Sequence, residues 1–229
     1  MATGEVILWI PAYNEARSIE DVVSGLLKFG VVVIFDDCSS DCTASKALES
    51  GAIVISSREN CGYEIAISAA RKYATDHGFD ILITVDADGQ HSAESVGTVL
   101  GSLMRDRTIS VVIGARKNFR RVAEKLFSIC SFLSIGVKDP MSGLKAYRVS
   151  ALQSVKSEMG ALLTSKILIE LIGSGSNIEE IEIDVLPRKY GASRFGASLT
   201  GEWKVLKALF FFLTIYFGSK RDNPIKRRV

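Results

Sequence analysis

The first 115 residues alternate short runs of apolar, often β-branched residues with longer stretches of mixed polarity. This alternation is typical of βαβ units and a parallel sheet. Because the runs are almost continuously apolar, they indicate strands that are covered on both faces. We predict strands at Val6 to Ile10, Val31 to Phe35, Ala52 to Ser56, Ile81 to Val85 and Ser110 to Ile113. Helices are predicted between them at 16–29, 43–50, 62–77 and 93–105, which gives an α/β fold with a doubly wound sheet.

The pattern changes after Arg116. It predicts a basic amphipathic segment at 120–135, a loop at 139–143, a short strand at 144–148, a helix at 164–172 and a strand at 179–185. The last apolar run, at 208–217, carries no charge over ten residues. A helix of that length rises about 15 Å, whereas the hydrocarbon core of a bilayer measures about 30 Å. We therefore expect a C-terminal amphipathic helix that does not span a membrane.

Length and composition indicate a folded protein with a sizeable core. The chain has 229 residues, of which 47% are hydrophobic, and this excludes disorder. We expect one domain over residues 1–200, which is large enough to be a catalytic domain. An amphipathic helix and a basic tail follow over residues 201–229. The net charge is only +2, so we expect no nucleic-acid partner. The positive charge is concentrated in the last ten residues, which hold five basic residues and one acidic one.

The cysteine content indicates a reducing compartment. Four cysteines in a chain of this size do not form a disulfide framework, and two histidines do not complete a zinc spacing. We expect free thiols. The first ten residues lack a basic segment followed by a long apolar stretch, so no signal peptide is expected and the protein is predicted to be cytoplasmic.

Polar residues follow the predicted strands, where open α/β sheets bind their ligands. Asp86-Ala87-Asp88 comes after the fourth strand, and alternate residues leaving a strand point the same way. Mg²⁺ and Mn²⁺ are hard cations that take one or two carboxylates together with substrate phosphates, and Gln90 offers a third oxygen. The triplet therefore predicts a cation site for a diphosphate. The alternative is that both carboxylates only cap a loop.

Two further carboxylates, Asp36 and Asp37, follow the second strand and are expected to line the same crevice. There they can accept hydrogen bonds from ribose hydroxyls or a base N–H. Helix capping is the alternative function, and it suits Ser39, Ser40 or Asp41, just before the helix predicted at 43–50.

Five motifs together resemble family 2 glycosyltransferases, within them the dolichol-phosphate mannose synthase and polyprenyl-phosphate glycosyltransferase branch. They are IPAYNE at 10–15, DDCSSDCT at 36–43, DADGQH at 86–91, DPMSG at 139–143 and RKYGASR at 188–194. The resemblance implies a GT-A fold, which is Rossmann-like with a mostly parallel sheet flanked by helices. It also implies an NDP-sugar donor, Mg²⁺ or Mn²⁺, and inversion at the anomeric carbon.

The resemblance also implies roles for individual residues. Those expected to hold the nucleoside and the rest of the donor are Pro11, Tyr13, Glu15, Asp37, Asp86, Ala87 and Asp88. The metal ligands would be Asp86, Asp88 and Gln90. Three arginines, Arg116, Arg188 and Arg194, would face the diphosphate or an acceptor phosphate, since a guanidinium grips phosphate in two places.

The acceptor decides whether a general base is needed. Polyprenyl phosphate, the acceptor that the resemblance favours, is already anionic, whereas a sugar hydroxyl on a glycan or lipid-linked sugar requires a base. Asp139 and Glu170 are the candidate bases, with loop fixation or helix exposure as their alternative roles. A nucleotidyltransferase also uses paired carboxylates, but the first strand lacks a Gly-rich triphosphate loop.

The C-terminal helix is predicted to lie on a membrane. Residues 202–217 combine Trp203, Lys204 and Lys207 with a Phe-rich run and precede the basic tail, which suits a helix in the interface of an anionic leaflet. This predicts a peripheral enzyme at the inner face of the membrane. The alternatives are a helix packed on the core and a contact between two copies of the chain.

Overall fold

The computed structural model describes residues 5–119, 121–187 and 199–222. Within them, seven strands form one sheet: β1 (Val6–Ala12), β2 (Val31–Asp36), β3 (Ile53–Ser56), β4 (Ile81–Thr84), β5 (Ile109–Arg116), β6 (Lys145–Arg148) and β7 (Asn177–Ile183). The helices are α1 (Ile19–Leu26), α2 (Thr43–Glu49), α3 (Tyr63–Asp76), α4 (Ala93–Arg105), α5 (Val122–Ile135), α6 (Val149–Leu152), α7 (Leu163–Gly173) and α8 (Leu199–Asp222). The predicted α/β fold is confirmed.

The strand order is β3-β2-β1-β4-β6-β5-β7, and all neighbours are parallel except at β6. β6 runs antiparallel to β4 on one side and to β5 on the other. The sequence predicted the strand but not this position between two strands that precede it. As a consequence β6 starts at the edge where β4 and β5 end, so the loop at 139–144 reaches the carboxyl edge of the sheet.

Some element boundaries differ from the prediction. α1 begins at Ile19 instead of residue 16, because the N–H groups of Ser18 and Ile19 bind the Glu15 carbonyl in a turn. β5 continues to Arg116, three residues further than predicted, since it pairs with β7 along that length. Arg116 is therefore the last residue of β5, and the pairing of β5 with β7 fixes its backbone.

Both faces of the sheet are covered, as the apolar strands predicted. In β1, Ile7 and Trp9 belong to one core cluster, whereas Leu8 and Ile10 belong to the other. The first cluster includes residues of α3, α5, α7 and α8, and the second includes residues of α1 and α4. Burial on both faces leaves the two sheet edges and the strand ends as the accessible backbone, which places ligand binding at the strand ends.

The C-terminal helix α8 packs on α5 and α7. Val205, Leu209, Phe212 and Tyr216 are buried at helical spacing, and the Phe212 ring lies 5.2 Å from that of Phe127. The predicted amphipathic helix is confirmed, and one of its faces is part of the main core. The proposed division of the chain at residue 200 stays a prediction. In the described part of the chain, no helix has both the length and the apolar stretch that crossing a bilayer requires.

Candidate active site

The loops that follow β1 and β2 are tied to each other by side-chain hydrogen bonds. The backbone N–H of Asn14 donates to Ser39 Oγ at 2.9 Å, and Ser40 N–H donates to Asn14 Oδ1 at 2.8 Å. The N–H of Glu15 donates to Thr43 Oγ1 at 2.8 Å. The first two sequence motifs therefore form one structural unit at the carboxyl edge of the sheet.

Asp41 binds the start of α2 but is not its N-cap as the sequence suggested, because the N-cap residue is Cys42, which has no side-chain capping bond. Its carboxylate accepts the backbone N–H of Thr43, the first residue of α2, at 2.9 Å and that of Ala16 at 3.2 Å. Partial burial raises the pKa of Asp41, but the hydrogen bonds from Thr43 and Ala16 outweigh it and the net pKa is lowered. The carboxylate stays ionised and stabilises this loop.

Cys38 adopts a left-handed backbone conformation with φ of +62°. An L-residue there is strained by about 1–2 kcal/mol, whereas glycine is not. We expect Cys38→Gly to raise the free energy of unfolding by about 0.5–1 kcal/mol, after the entropy cost of glycine. Cys42, at φ of −80°, is the matched control, since Cys42→Gly should destabilise. Urea denaturation measures both, and equal signs would contradict the strain argument.

Asp37 is buried, and both of its oxygens accept backbone N–H groups. Oδ1 accepts from Cys61 at 2.7 Å and Oδ2 from Gly62 at 2.9 Å. These bonds fix the chain where α3 begins. This structural role was not predicted, and the expected contact between Asp37 and the nucleoside stays a prediction.

All four cysteines are free thiols, as expected.

Asp86 follows β4 and has a charged environment. Its side chain is 41% exposed, and Oδ2 lies 3.5 Å from His91 Nε2. Loss of hydration around the carboxylate raises the pKa of Asp86. The hydrogen bond from His91 and the positive charges of Lys145 and Arg116 outweigh this effect, so the net pKa is lowered. Gly143 lies directly against this carboxylate, where a Cβ atom would overlap both oxygens. Asp86 is therefore an ionised carboxylate in a fixed position.

Asp88 is 6% exposed and belongs to a loop that is anchored at two points. Its Oδ1 accepts the Gln90 N–H at 3.0 Å. The Gln90 amide donates to the Leu186 carbonyl at 3.1 Å, and Leu186 N–H donates back to the Gln90 carbonyl at 2.9 Å. Ala87, between the two carboxylates, is buried. The loop of the predicted metal ligands is thus bound to the chain just before residue 188.

Arg116 is held by a buried carboxylate. Its Nε and Nη2 donate to the two oxygens of Asp139 at 2.8 and 3.0 Å. Asp139 is 1% exposed, and the backbone N–H groups of Lys138 and Asp139 donate to the carboxylate of Glu180 on β7. Asp139 therefore orients Arg116, a role that neither of its predicted alternatives included.

The second candidate base, Glu170, fixes a loop. Its carboxylate accepts the backbone N–H of Lys156 at 2.6 Å and that of Ser157 at 3.2 Å, and it also accepts the Ser157 hydroxyl. The described contacts of Glu170 are with this loop and not with the residues around Asp86. A role as general base has no support in this geometry.

The sequence analysis missed Lys145, the first residue of β6. It is 1% exposed, donates to the Ser142 carbonyl, and interacts electrostatically with Asp139, Asp86 and Glu64. Burial lowers its pKa to about 8. The available signal was a lysine between the apolar residues Leu144 and Ala146, since lysine is almost never fully buried unless it is paired.

The other predicted residues are less closely defined. Pro11, Tyr13 and Glu15 lie together at the end of β1, beside the β2 loop. Arg188 and Arg194 fall outside the described residues. Within the described ranges, no group of three or more histidine, cysteine or acidic side chains is arranged to hold a metal alone. A Mg²⁺ or Mn²⁺ site that substrate phosphates complete needs only one or two carboxylates, so the site expected at Asp86 and Asp88 stays a prediction.

Comparisons with known proteins identify the family of the chain. Residues 7–153 match the model for "Glycosyl transferase family 2". The UDP-N-acetylglucosamine–dolichyl-phosphate N-acetylglucosaminyltransferase of Methanococcus voltae is 31% identical over 97% of this chain and 100% of that protein. The undecaprenyl-phosphate mannosyltransferase of Micrococcus luteus is 26% identical over 86% of this chain and 90% of its own.

A solved structure also has the same fold. Glucosyl-3-phosphoglycerate synthase from Mycobacterium tuberculosis, in complex with Mn²⁺, UDP-glucose and phosphoglyceric acid, superposes with a TM-score of 0.74 at 20% identity. The match covers 93% of this chain and 81% of that one. The expected GT-A-like fold is confirmed. The family model and the archaeal relative together establish that the chain belongs to glycosyl transferase family 2.

Proposed function

We propose that the protein is an inverting, metal-dependent enzyme that transfers a hexose from a UDP- or GDP-sugar to a polyprenyl phosphate. The observation that carries this proposal is the combination of ionised Asp86 with an Arg116 guanidinium that buried Asp139 holds in place. Carboxylates suit a cation on the donor diphosphate, and a fixed guanidinium suits a phosphate. The two relatives described above act, by their names, on dolichyl and undecaprenyl phosphates.

Asp86 and Asp88 would hold the cation, with Gln90 beside them. A bound Mg²⁺ or Mn²⁺ would neutralise charge on the departing diphosphate. Arg116 would add a second positive charge that stays aligned because Asp139 binds it in two places. Pro11, Tyr13, Glu15 and Asp37 would form the nucleoside end of the donor site. Arg188 and Arg194 would contribute to the phosphate side.

The state of Asp139 favours a phosphate acceptor over a sugar hydroxyl. A hydroxyl acceptor needs a general base, and both oxygens of Asp139 already accept hydrogen bonds from Arg116. An anionic phosphate oxygen attacks the anomeric carbon without a base. The engagement of Asp139 therefore supports polyprenyl phosphate against transfer to a glycan or a lipid-linked sugar.

A surface formed by α5 and α8 supports action at a membrane. Its apolar side chains are exposed; for example, Val122 is 77% and Trp203 72% exposed. We call this the helical apolar surface: Val122, Leu126, Ile129, Phe132, Leu133, Trp203, Leu206, Phe210, Phe211 and Phe217. Apolar patches of this kind mark interaction sites.

The charges around the helical apolar surface suit an anionic leaflet. Lys138 Nζ and Lys207 Nζ each lie 5.9 Å from the centre of an exposed phenylalanine ring, and Lys125 and Lys204 are also exposed. The carboxylate of Glu124 pairs with Arg116 and Arg121. We propose that the protein binds the cytoplasmic face of the membrane peripherally through this surface.

Two assays test the proposed activity. Thermal shifts with UDP, GDP and their sugar conjugates, with and without Mn²⁺, identify the donor, since a ligand of the folded state raises the melting temperature. Product analysis with a radiolabelled donor then compares polyprenyl phosphate with glycan acceptors. Label in a lipid phosphate product supports the proposal. Label only in glycan, or no nucleotide-sugar binding, contradicts it.

Membrane binding is tested on residues that do not support the core. We expect the triple variant Trp203→Ser, Phe210→Ser and Phe217→Ser to lose sedimentation with phosphatidylglycerol vesicles. Each exposed aromatic contributes about 1.5–3 kcal/mol when buried in lipid, so affinity should fall by at least about 100-fold. The control is Leu48→Ser on α2, where an equally exposed side chain lies outside the helical apolar surface. Equal sedimentation of the triple variant and the control would refute this surface.

A further inference from the structure

Lys145 occupies a central position among the residues assigned to the donor and phosphate sites. It pairs with Thr84 on β4 and with Ile113 on β5. Asp86 follows Thr84 by two residues and Arg116 follows Ile113 by three, so both leave the sheet next to the start of β6. Lys145 therefore lies at the carboxyl edge of the sheet, but it is buried in the protein, since only 1% of the residue is exposed.

A charge is costly at this buried position. Burying an ammonium group costs several kcal/mol unless partners compensate, and an apolar side chain of similar length such as methionine would avoid that cost. The residues before and after it in the chain, Leu144 and Ala146, are apolar and fully buried. Lys145 donates one hydrogen bond, to the Ser142 carbonyl, and its other described partners are charges. The ammonium group of Lys145 is therefore compensated mainly by its interactions with other charged side chains.

The charges that Lys145 meets are those of the site. It interacts favourably with Asp139 and Asp86, and unfavourably with Arg116. Asp139 is what holds Arg116, and Asp86 is a predicted metal ligand. The ammonium group of Lys145 is anchored on the Ser142 carbonyl, and the next residue, Gly143, lies directly against the Asp86 carboxylate. The ammonium group repels any cation that approaches Asp86 without an accompanying anion.

We infer that Lys145 is a positioning residue whose buried ammonium group, held beside the ends of β4 and β5, makes cation binding at Asp86 depend on the diphosphate of the donor. The inference rests on the proposed function. A free divalent cation meets the repulsion of Lys145. A nucleoside diphosphate brings negative charge that Lys145 attracts. The cation and the nucleotide consequently bind together better than the cation binds alone.

Binding of Mn²⁺ to the complete chain tests this without measuring turnover. Electron paramagnetic resonance monitors free Mn²⁺ with and without UDP, or with and without GDP if the thermal shifts identify a guanine nucleotide. Lys145→Gln keeps an N–H donor for the Ser142 carbonyl but removes the charge. We expect it to bind Mn²⁺ alone about tenfold more tightly than the wild type, as a lost charge repulsion of this size predicts. UDP should then strengthen Mn²⁺ binding less than it does in the wild type.

Two further variants separate charge from structure. Lys145→Arg keeps the charge and should restore the dependence on UDP. Lys117→Met removes an exposed lysine that follows Arg116 and pairs with Asp184, and it should behave as the wild type. If Lys145→Gln does not fold, Lys145→Met replaces it.

The outcomes distinguish the two proposals. A wild type that binds Mn²⁺ with UDP, beside a Lys145→Gln protein with unchanged affinity for Mn²⁺ alone, overturns the positioning role and leaves the proposed function intact. A wild type that binds no Mn²⁺ with either UDP or GDP overturns the proposed metal-dependent function, and the positioning role with it.

Discussion

Asp88→Asn is expected to abolish Mn²⁺-dependent binding of the nucleotide-sugar and to reduce turnover by about 100-fold or more. Asparagine keeps an oxygen that can accept the Gln90 N–H, so the loop can retain its bond to residue 90 while the charge is lost. A hard cation binds a neutral amide oxygen less strongly than a carboxylate. Calorimetric titration of the nucleotide-sugar with Mn²⁺, together with initial rates, measures both effects.

The control for this change is Asp76→Asn. Asp76 is a carboxylate of α3 that is half exposed and pairs with Lys72 on the surface. Its loss should leave donor binding and turnover unchanged. Donor affinity in Asp88→Asn equal to that of the control would remove Asp88 from the metal site.

Gly143→Ala is expected to produce a comparable loss of activity by a steric route. The new Cβ atom would overlap the Asp86 carboxylate, so either this side chain or the 139–144 loop must move. A displacement of about 1 Å at a catalytic group costs roughly 100-fold in rate. Overpacking should also destabilise the fold by about 1–3 kcal/mol. Rates and thermal melting together measure both effects.

Gly101→Ala provides the matched comparison for that substitution. Gly101 lies in α4, and nothing lies within 4 Å of its added Cβ atom. Alanine there should stabilise the helix by up to about 1 kcal/mol and leave turnover unaltered. If Gly143→Ala behaves like Gly101→Ala, then Asp86 is not held where the site requires it.

The sequence predicted most of the sheet because buried parallel strands are continuously apolar. The runs that became β1, β2 and β4 carry that signal throughout. The position of β6 was not predictable in the same way. Its four residues pair with strands that lie more than thirty residues earlier, and no local pattern specifies those partners. Strand order depends on contacts that only the folded chain contains.

The candidate site was predictable where its residues are neighbours in sequence. Asp86 and Asp88 could be recognised together because only Ala87 lies between them, and alternate residues that leave a strand point the same way. The pair of Arg116 and Asp139 spans 23 residues, so each residue was found but their contact was not. Lys145 was missed because a lysine in a short strand that also contains Arg148 resembles many solvent-facing lysines. The bonds of Asp37 to backbone N–H groups are equally invisible in the sequence.

The helix α8 has one face buried in the core and another exposed to solvent, and this affects how the protein can be shortened for study. Val205, Leu209, Phe212 and Tyr216 together account for about 6–12 kcal/mol of burial, at about 1.5–3 kcal/mol each. A whole domain of this size has a net stability of only about 5–15 kcal/mol. A chain truncated before this helix would consequently unfold, and its absence from vesicles would say nothing about lipid affinity. Soluble variants for crystallisation must instead keep the helix and exchange only its outward aromatic residues.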